Sequence, residues 1–429
     1  MQKQIPSKMK KRVLSLFSCG GGMDIGFEGG FRILKCSLNT NMHPTWVEKE
    51  DEKYYYLKNT IFETVFANDI VDCAKASWVD YFSKKRGGEV AEQYIVRSIV
   101  DVVKDYKEGK SNIFPNDIDI VTGGFPCQDF SVAGKRKGFH SEVSHNGQKL
   151  DVDSPSEETR GKLYMWMKEV VEITQPKIFI AENVKGLANL GEVKEIIQKD
   201  FATIGGNGYL VLPPQILHAG RYGISQSRER IFFIGINKSA LTREALEELS
   251  RNGSFSKYSP YPEPTHFLEK DIPSLNNNAS LMLPFVPAER VLTDLEEPER
   301  STDLSQINYS KAKFIKGLQG NTEVKQGKLA PTIRSEHHGN IEFRRLSIEH
   351  GGSHSDELAR GLQERRLSVR ECARIQTFPD DYNFVIRNDK KYIVSPSSGY
   401  KLVGNAVPPL LAYHIAKKIE SNWGYYFNE

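Results

Sequence analysis

Cys127 stands in Pro126-Cys127-Gln128, directly after the apolar run Ile118 to Phe125 and ahead of the basic stretch Lys135-Arg136-Lys137. A thiol beside positive charge ionises more readily, and a thiolate is a strong nucleophile. A second apolar run, Lys177 to Val184, carries Glu182 near its end, 55 residues further along. A carboxyl group at a strand end in a water-poor pocket can hold or deliver a proton near neutral pH. Open parallel sheets bind ligands just beyond their strand ends, so thiol and acid are expected to share one cleft. Arg228 and Arg230 alternate with Ser227 and Glu229 before the run Ile231 to Ile236, which sends both guanidiniums to one side of a strand. Each residue also has a plainer reading: a buried inert cysteine, an acid paired with a lysine, arginines in structural ion pairs.

The elements that must position these groups are read from the hydrophobic pattern. Val13 to Phe17 is a buried-strand pattern running into Ser18-Cys19-Gly20-Gly21-Gly22, a glycine-rich turn that allows close approach of a nucleoside or phosphate. Further strand patterns lie at Phe31 to Leu38, Thr64 to Ile70, Ile118 to Phe125, Ile178 to Glu182, Leu210 to Leu217 and Ile231 to Ile236. Helical patterns at Tyr164 to Thr174 and Glu192 to Ile204 fall between them. This alternation predicts an α/β fold with a doubly wound, mostly parallel sheet. Residues 72–112 read as a helical insertion on that scaffold. Beyond about Leu241 the alternation is lost and Pro, Ser and Asn accumulate, which marks a boundary. The expected organisation is a catalytic domain over 1–240, a second, smaller irregular domain over 241–380, and a segment 381–429 whose helix, Ala406 to Ile419, returns to the first domain.

A chain of 429 residues, 39% hydrophobic and 26% charged, can bury a sizeable core. Its net charge of +3 does not by itself suggest nucleic acid, but residues 300–375 hold 14 Lys/Arg against 9 Asp/Glu. Local positive charge of that kind suits phosphate contacts, or it is a solvated arginine-rich surface. The five cysteines are far apart and form no CxxC pair or metal-ligand cluster, which points to a reducing compartment without disulfides or structural metal. No apolar stretch has the length of a signal peptide core or membrane span, so a cytoplasmic protein is expected.

Phe125-Pro126-Cys127-Gln128, Glu182-Asn183-Val184 and Gln226-Ser227-Arg228-Glu229-Arg230, in this order, closely resemble the DNA (cytosine-5) methyltransferases of bacterial restriction-modification systems. Phe17 to Gly26 resembles that family's S-adenosylmethionine loop, Asn68-Asp69-Ile70 its adenine-contacting strand end, and Arg160 to Tyr164 the block after its mobile loop. Arg366 to Asp380 and Gly404-Asn405-Ala406-Val407-Pro408 resemble its last two blocks, so the likeness covers residues 12–240 and 366–419. It implies that Cys127 adds to carbon-6 of a cytosine rotated out of duplex DNA, at a cost of a few kcal/mol. Glu182 would assist at the ring nitrogen, Arg230 would reach the cytosine carbonyl, and Arg228 and Gln226 would organise the loop and phosphate contacts. Ser131 to Gly138 would be a closing loop, with Gln128, Ser131 and Arg136 against DNA. The cofactor would meet Phe17, Ser18, Gly20, Gly21, Gly22, Asp69, Ile70, Pro126, Asn405 and Ala406. The implied partner is double-stranded DNA, with a cognate restriction endonuclease acting on the same site. A tRNA cytosine-5 methyltransferase and a non-catalytic DNA-binding regulator are the competing readings; a variable region of this length favours DNA, and retention of Cys127 and Glu182 favours an enzyme.

The chain departs from the family at several points. Where the family has an acid at the end of its second strand for the ribose hydroxyls, Leu38-Asn39-Thr40-Asn41 stands here, so Thr40, Asn41 or Glu48 would have to substitute. Cys19 replaces the first loop glycine, and Ser15 the strand aspartate. An acidic excursion lies between Phe139 and Thr159, with five Asp/Glu against one Lys. In the variable region, Arg334, His337, Asn340 and Arg344 have the chemistry to read bases in the major groove. For any one of them, contact with phosphate or a purely structural role is an equal alternative.

Overall fold

In the computed structural model, residues 10–125, 163–189, 191–269, 281–335 and 341–429 are described. The chain begins with β1 (Lys11–Leu16), the short helix α1 (Gly22–Glu28) and an antiparallel excursion of β2 (Arg32–Leu34), β3 (Val47–Glu50) and β4 (Tyr54–Leu57). It continues through β5 (Phe62–Asp69), α2 (Asp72–Arg86), β6 (Tyr94–Val96), α3 (Ile99–Lys107) and β7 (Ile120–Gly123). After residue 162 come α4 (Leu163–Thr174), β8 (Ile178–Val184), α5 (Gly191–Ala202), β9 (Tyr209–Val211), β10 (Gln215–His218) and β11 (Glu229–Asn237).

Eight of these strands form one sheet in the order β10-β11-β8-β7-β1-β5-β6, with β9 also paired to β11. From β8 to β6 all pairs are parallel, whereas β11 runs antiparallel to β8 and to both β9 and β10. Strands buried on both faces need side chains that are apolar throughout, and Ile178 to Ala181 are all fully buried. On β1, Val13 packs into a core with Ile25, Phe27 and Ile415, while Leu14 and Leu16 join Val102, Val103, Met167 and Val170 on the other face. Two cores separated by one sheet are what a doubly wound fold requires.

Three local readings are corrected. Residues 72–112 are not an insertion: β6 is the parallel edge strand beside β5, and α2 and α3 flank it. A strand of three residues is too short to show alternation, and its place is secured by Asn68, whose Nδ2 donates to the carbonyls of Ile95 (3.0 Å) and Arg97 (2.9 Å). Phe31 to Leu38 contributes just β2, which pairs with β4 outside the main sheet. Leu210 to Leu217 divides at Pro213-Pro214 into β9 and β10, as expected of residues that cannot donate to a ladder.

Beyond β11 the described chain holds α6 (Arg243–Asn252), the short helices α7 (Glu289–Leu292), α8 (Leu304–Ile307) and α9 (Ser355–Ala359), and then α10 (Val369–Ile375), α11 (Pro396–Asn405) and α12 (Pro409–Phe427). Ser368 and Glu371 form a reciprocal capping box at the start of α10. The returning helix begins at Pro409 and packs on α1. A Cβ on Gly26 would lie 2.4 Å from Pro409 O and 2.5 Å from Ala412 Cβ, so glycine is required for that approach.

Candidate functional site

At the carboxyl ends of β1, β7 and β8 a cleft of about 350 Å3 opens, lined by the loop after β1, by Thr122 to Gly124, by Glu182 and by Asn405 to Val407. Phe17, Ser18, Gly22, Asn405 and Ala406, expected to hold a cofactor, all line it; Ser15, Cys19, Met23, Thr122 and Val407 do so as well. Gly21 adopts φ 69°, and a Cβ on Gly22 would lie 2.1 Å from Val407 O, so the turn tolerates no side chain there. Asp24, buried in the first turn of α1, holds the loop from below. Its Oδ2 accepts from Ser18 Oγ (2.5 Å) and Trp78 Nε1 (2.8 Å), while burial holds its carboxyl above the usual range. Thr122 Oγ, on the cleft floor, is buried without a hydrogen-bond partner in the protein. Polar atoms of that kind in a lined cleft are suited to a polar ligand.

Glu182 sits on β8 with 7% of its surface exposed. Arg230 Nε lies 3.0 Å from Glu182 Oε1, close enough for an ion pair although its N–H is not aimed for a hydrogen bond. Burial raises the carboxyl above its ordinary value against the pull of Arg230 and Arg228. The other oxygen, Oε2, would be 2.9 Å from a Cβ placed on Gly124, so the chain leaving β7 passes directly over the acid. Asn183 Nδ2 donates to Phe125 O (3.2 Å), tying the two strand ends together. Pro126, Cys127, Gln128, Ser131 and Arg136 lie outside the described residues. Cys127 follows Phe125 by two positions in the sequence.

Asp69 has a different place from the one expected. Because β2 to β4 leave the main sheet, β5 is the second strand of that sheet, and Asp69 is its last residue. Asp69 is thus an acid at the end of that second strand, although like Thr40 it is not among the residues lining the cleft. It accepts from Cys19 N at 2.9 Å and from Val71 N at 3.0 Å, and burial raises its carboxyl above the usual range. Ile70 beside it is 45% exposed. Thr40 does not line the cleft; its turn is held elsewhere by Asn39 Nδ2, which donates to Thr265 O (2.9 Å) and Leu281 O (2.8 Å). Topology alone could have corrected this, because a strand's neighbours cannot be read from its order in the chain.

The residues expected at phosphates and bases are redistributed. Arg228 is 1% exposed and donates to the carbonyls of Ile333 (3.1 Å), Gly404 (3.1 Å) and Ala406 (2.9 Å), so it clasps three chain segments beside the cleft and cannot reach phosphate. Gln226 is fully buried, because Ser225 to Ser227 pairs with the backbone at Ala330. Arg344 is buried and paired with Glu357 at 2.8 Å, which removes it as a base reader. Arg334 keeps partial exposure, with Glu342 at 3.6 Å. His337 and Asn340 lie outside the described residues. Part of the positive charge over 300–375 is likewise internal: Arg344, Arg345, Arg365, Arg366, Arg370 and Arg374 are each at most 6% exposed.

The family model described as C-5 cytosine-specific DNA methylase matches residues 11–421. The chain is 32% identical to the Type II methyltransferase M.BspRI of Lysinibacillus sphaericus over 96% of its own length and 81% of that protein. It is 30% identical to the Type II methyltransferase M.BsuRI of Bacillus subtilis over 96% of its length and 80% of that protein. Among solved structures, the Entamoeba histolytica methyltransferase EhMeth is similar in fold, with a TM-score of 0.51 at 12% identity, covering 97% of this chain and 99% of that one.

Proposed function

Since the chain belongs to the C-5 cytosine-specific DNA methylase family and is an S-adenosylmethionine-dependent DNA (cytosine-5) methyltransferase, we propose that Cys127 is its nucleophile and Glu182 its proton-holding acid. The observation that supports this assignment is the buried Glu182, biased toward its protonated form, beneath Gly124, three positions before Cys127 in the sequence. A protonated carboxyl can donate to the ring nitrogen beside the exocyclic amine, and Arg230, 3.0 Å from Glu182, would act at the neighbouring carbonyl oxygen. Both contacts draw electrons from carbon-6 and so favour addition of the Cys127 thiolate there. Carbon-5 then becomes nucleophilic at the mouth of the cofactor cleft. Loss of its proton and expulsion of the thiol restore the ring.

The cleft fits S-adenosylmethionine. The glycine turn admits close approach, Phe17 offers an aromatic wall, and Asp69 at the end of β5 would meet the ribose hydroxyls. Asn405 and Ala406 would meet its methionine end, near the unpartnered Thr122 hydroxyl. When bound there, it supplies an electrophilic methyl group. Likeness over four fifths of two Type II methyltransferases supports duplex DNA rather than tRNA as substrate, and protection of host DNA in the cytoplasm from a cognate endonuclease as the role. Among the described residues no helix is long and apolar enough to cross a membrane.

The test is direct. Plasmid DNA incubated with the protein and S-adenosylmethionine is mapped for 5-methylcytosine by bisulfite conversion, and the modified site is remade with 5-fluorocytosine. The expected result is a covalent protein–DNA adduct through residue 127, absent in Cys127→Ser. Methylation without any adduct would exclude the nucleophile.

A further inference from the structure

Along one face of the sheet the side chains change character at the carboxyl ends of the strands. Val13 on β1, Ile120 on β7 and Ile180 on β8 are apolar and buried, and two residues further on each strand stand Ser15, Thr122 and Glu182. Ser15 pairs with Thr122, and Thr122 with Ile180. Because side chains alternate along a strand, the three polar groups share one face, and all three line the cleft. Ser15 and Thr122 are each 1% exposed.

A hydroxyl taken out of water destabilises the fold unless a hydrogen bond compensates it. Other small polar side chains on the described cleft wall are engaged within the protein: Ser18 Oγ donates to Asp24 at 2.5 Å, Ser15 is hydrogen-bonded to the same carboxyl, and Cys19 Sγ lies 3.7 Å from Leu402 O. Thr122 Oγ1 has no partner among the described residues. Unpartnered buried hydroxyls also occur at Thr64, Ser77, Ser225, Ser305 and Tyr382, but none of those residues lines the cleft. Among the described residues no lysine or arginine lines it either, so an anionic group held there depends on neutral donors. Besides backbone amides, the Thr122 hydroxyl and the Asn405 amide remain to supply them. Sheet order indicates which part of the cofactor they would meet. Neighbouring strands are about 4.8 Å apart, so Asp69 at the end of β5 is two strands from Thr122, while Glu182 is one strand away. With the ribose at Asp69 and the base at Glu182, the sulfonium and amino-acid part would lie over β1 and β7.

We propose that the Thr122 hydroxyl donates to the carboxylate of S-adenosylmethionine, and so selects for the amino-acid end of the cofactor. This rests on the methyltransferase reading above and adds to it a specificity-determining residue. Hydrogen bonds to a charged acceptor are stronger than those between neutral groups, the more so in a site shielded from water. An unmet hydroxyl weakens the free protein and is compensated only on binding, so stability and cofactor affinity are opposed at this position.

Thr122→Val keeps the shape of the side chain and removes the donor. Calorimetric titration should show S-adenosylmethionine binding weakened about ten- to hundredfold, while the cofactor-free variant melts at or above the wild-type temperature. Decarboxylated S-adenosylmethionine keeps the ammonium and lacks the carboxylate, and its affinities for wild type and Thr122→Val should agree within about twofold. Thr122→Ser restores the hydroxyl and should hold S-adenosylmethionine within about threefold of wild type. Thr64→Val, the same change away from the cleft, should leave both affinities as they are. The proposal would be overturned by S-adenosylmethionine affinity of Thr122→Val within about twofold of wild type, by an equal loss for the decarboxylated compound, or by a lower melting temperature of the free variant. Binding without methylation by the wild type would count against the roles of Cys127 and Glu182 alone, and the affinities would still decide on Thr122. Absence of binding by the wild type would overturn the cofactor cleft and Thr122 together.

Discussion

Two carboxylates, each set beside two arginines, titrate in opposite directions in this molecule. Glu182 in the cleft is raised, because burial outweighs the pull of an ion pair that is not aligned as a hydrogen bond. Glu371 on α10 is equally enclosed and yet lowered, because Arg365 grips both its oxygens at 2.8 Å and the Ser368 amide adds a third donor. The same pair of residue types thus gives a proton-holding acid at one site and a permanently charged strut at the other. What separates them is the number of aligned donors, a property of the fold and not of the pair. Around Glu371 the carboxylate oxygens are met by aligned donors, whereas Glu182 Oε1 is not.

Removing each acid's distinguishing feature should break the comparison most sharply in the cleft. Glu182→Gln keeps the volume but fixes the side chain as neutral and removes the transferable proton, so turnover should fall by about 10²–10⁴ with duplex and cofactor binding little changed. Single-turnover kinetics would measure this, and turnover equal to wild type would remove Glu182 from the chemistry. At Glu371 the corresponding change acts on stability. Arg365→Met leaves Glu371 buried with Arg344 at 3.9 Å as the nearest remaining cation, and Glu297 loses one of its two arginines. Loss of one partner from a buried pair typically costs about 3–5 kcal/mol. Urea unfolding should report a cost of that order, whereas an unchanged midpoint would show the network to be ornamental.

This contrast also explains what could be read from the chain alone. β1, β5, β7, β8 and β11 were legible because strands buried on both faces must be apolar throughout, and Glu182 stood out as the acid interrupting such a run. Asp69 was recognised as a strand-end acid, but the place of its strand directly beside β1 was not, since β2 to β4 intervene in sequence and not in the sheet. Arg228, Gln226 and Arg344 were misplaced for a different reason. Their partners are backbone carbonyls at 333, 404 and 406, a backbone bridge at 330 and the carboxylate of Glu357, all contacts remote in sequence or without a sequence signature. A count of arginines reports charge but not where it lies, and Arg345, Arg370 and Arg374 within 300–375 fasten Asp294, Glu297, Asp303 and Asp380.

Acid sharpens the comparison at smaller amplitude. Glu297 and Asp380 are each held down to about 2, so the stability they contribute is present above the ordinary carboxylate values and is lost as pH falls from about 4 toward 2. Glu182, raised in the folded state, has the opposite sign. Its charging opposes folding as pH rises from the ordinary glutamate value through its raised one, and protonated enzyme is depleted over the same interval. Activity should therefore decline on the alkaline side of Glu182 while stability does not collapse, and melting temperature should fall on the acid side of Glu297. Coincident pH profiles for activity and melting would mean that the two carboxylates do not differ as described.

The smallest effect concerns the loop that the catalytic region holds under strain. Cys19 occupies φ 49° with its amide donating to Asp69 and its carbonyl accepting from Tyr94 OH at 3.0 Å, so the backbone is locked in a conformation that a residue with a Cβ adopts at a cost of about 1 kcal/mol. Cys19→Gly removes that cost and also loosens the unfolded chain, and the two effects oppose each other. The side chain is 8% exposed on the cleft wall and its sulfur rests 3.7 Å from Leu402 O, a contact too weak to offset the strain. Stability should therefore shift by no more than about 1 kcal/mol, with cofactor affinity within about threefold of wild type by calorimetry. A tenfold loss of affinity would instead assign the thiol a direct part in cofactor binding, and would make this loop as dependent on its side chains as the arginine network is.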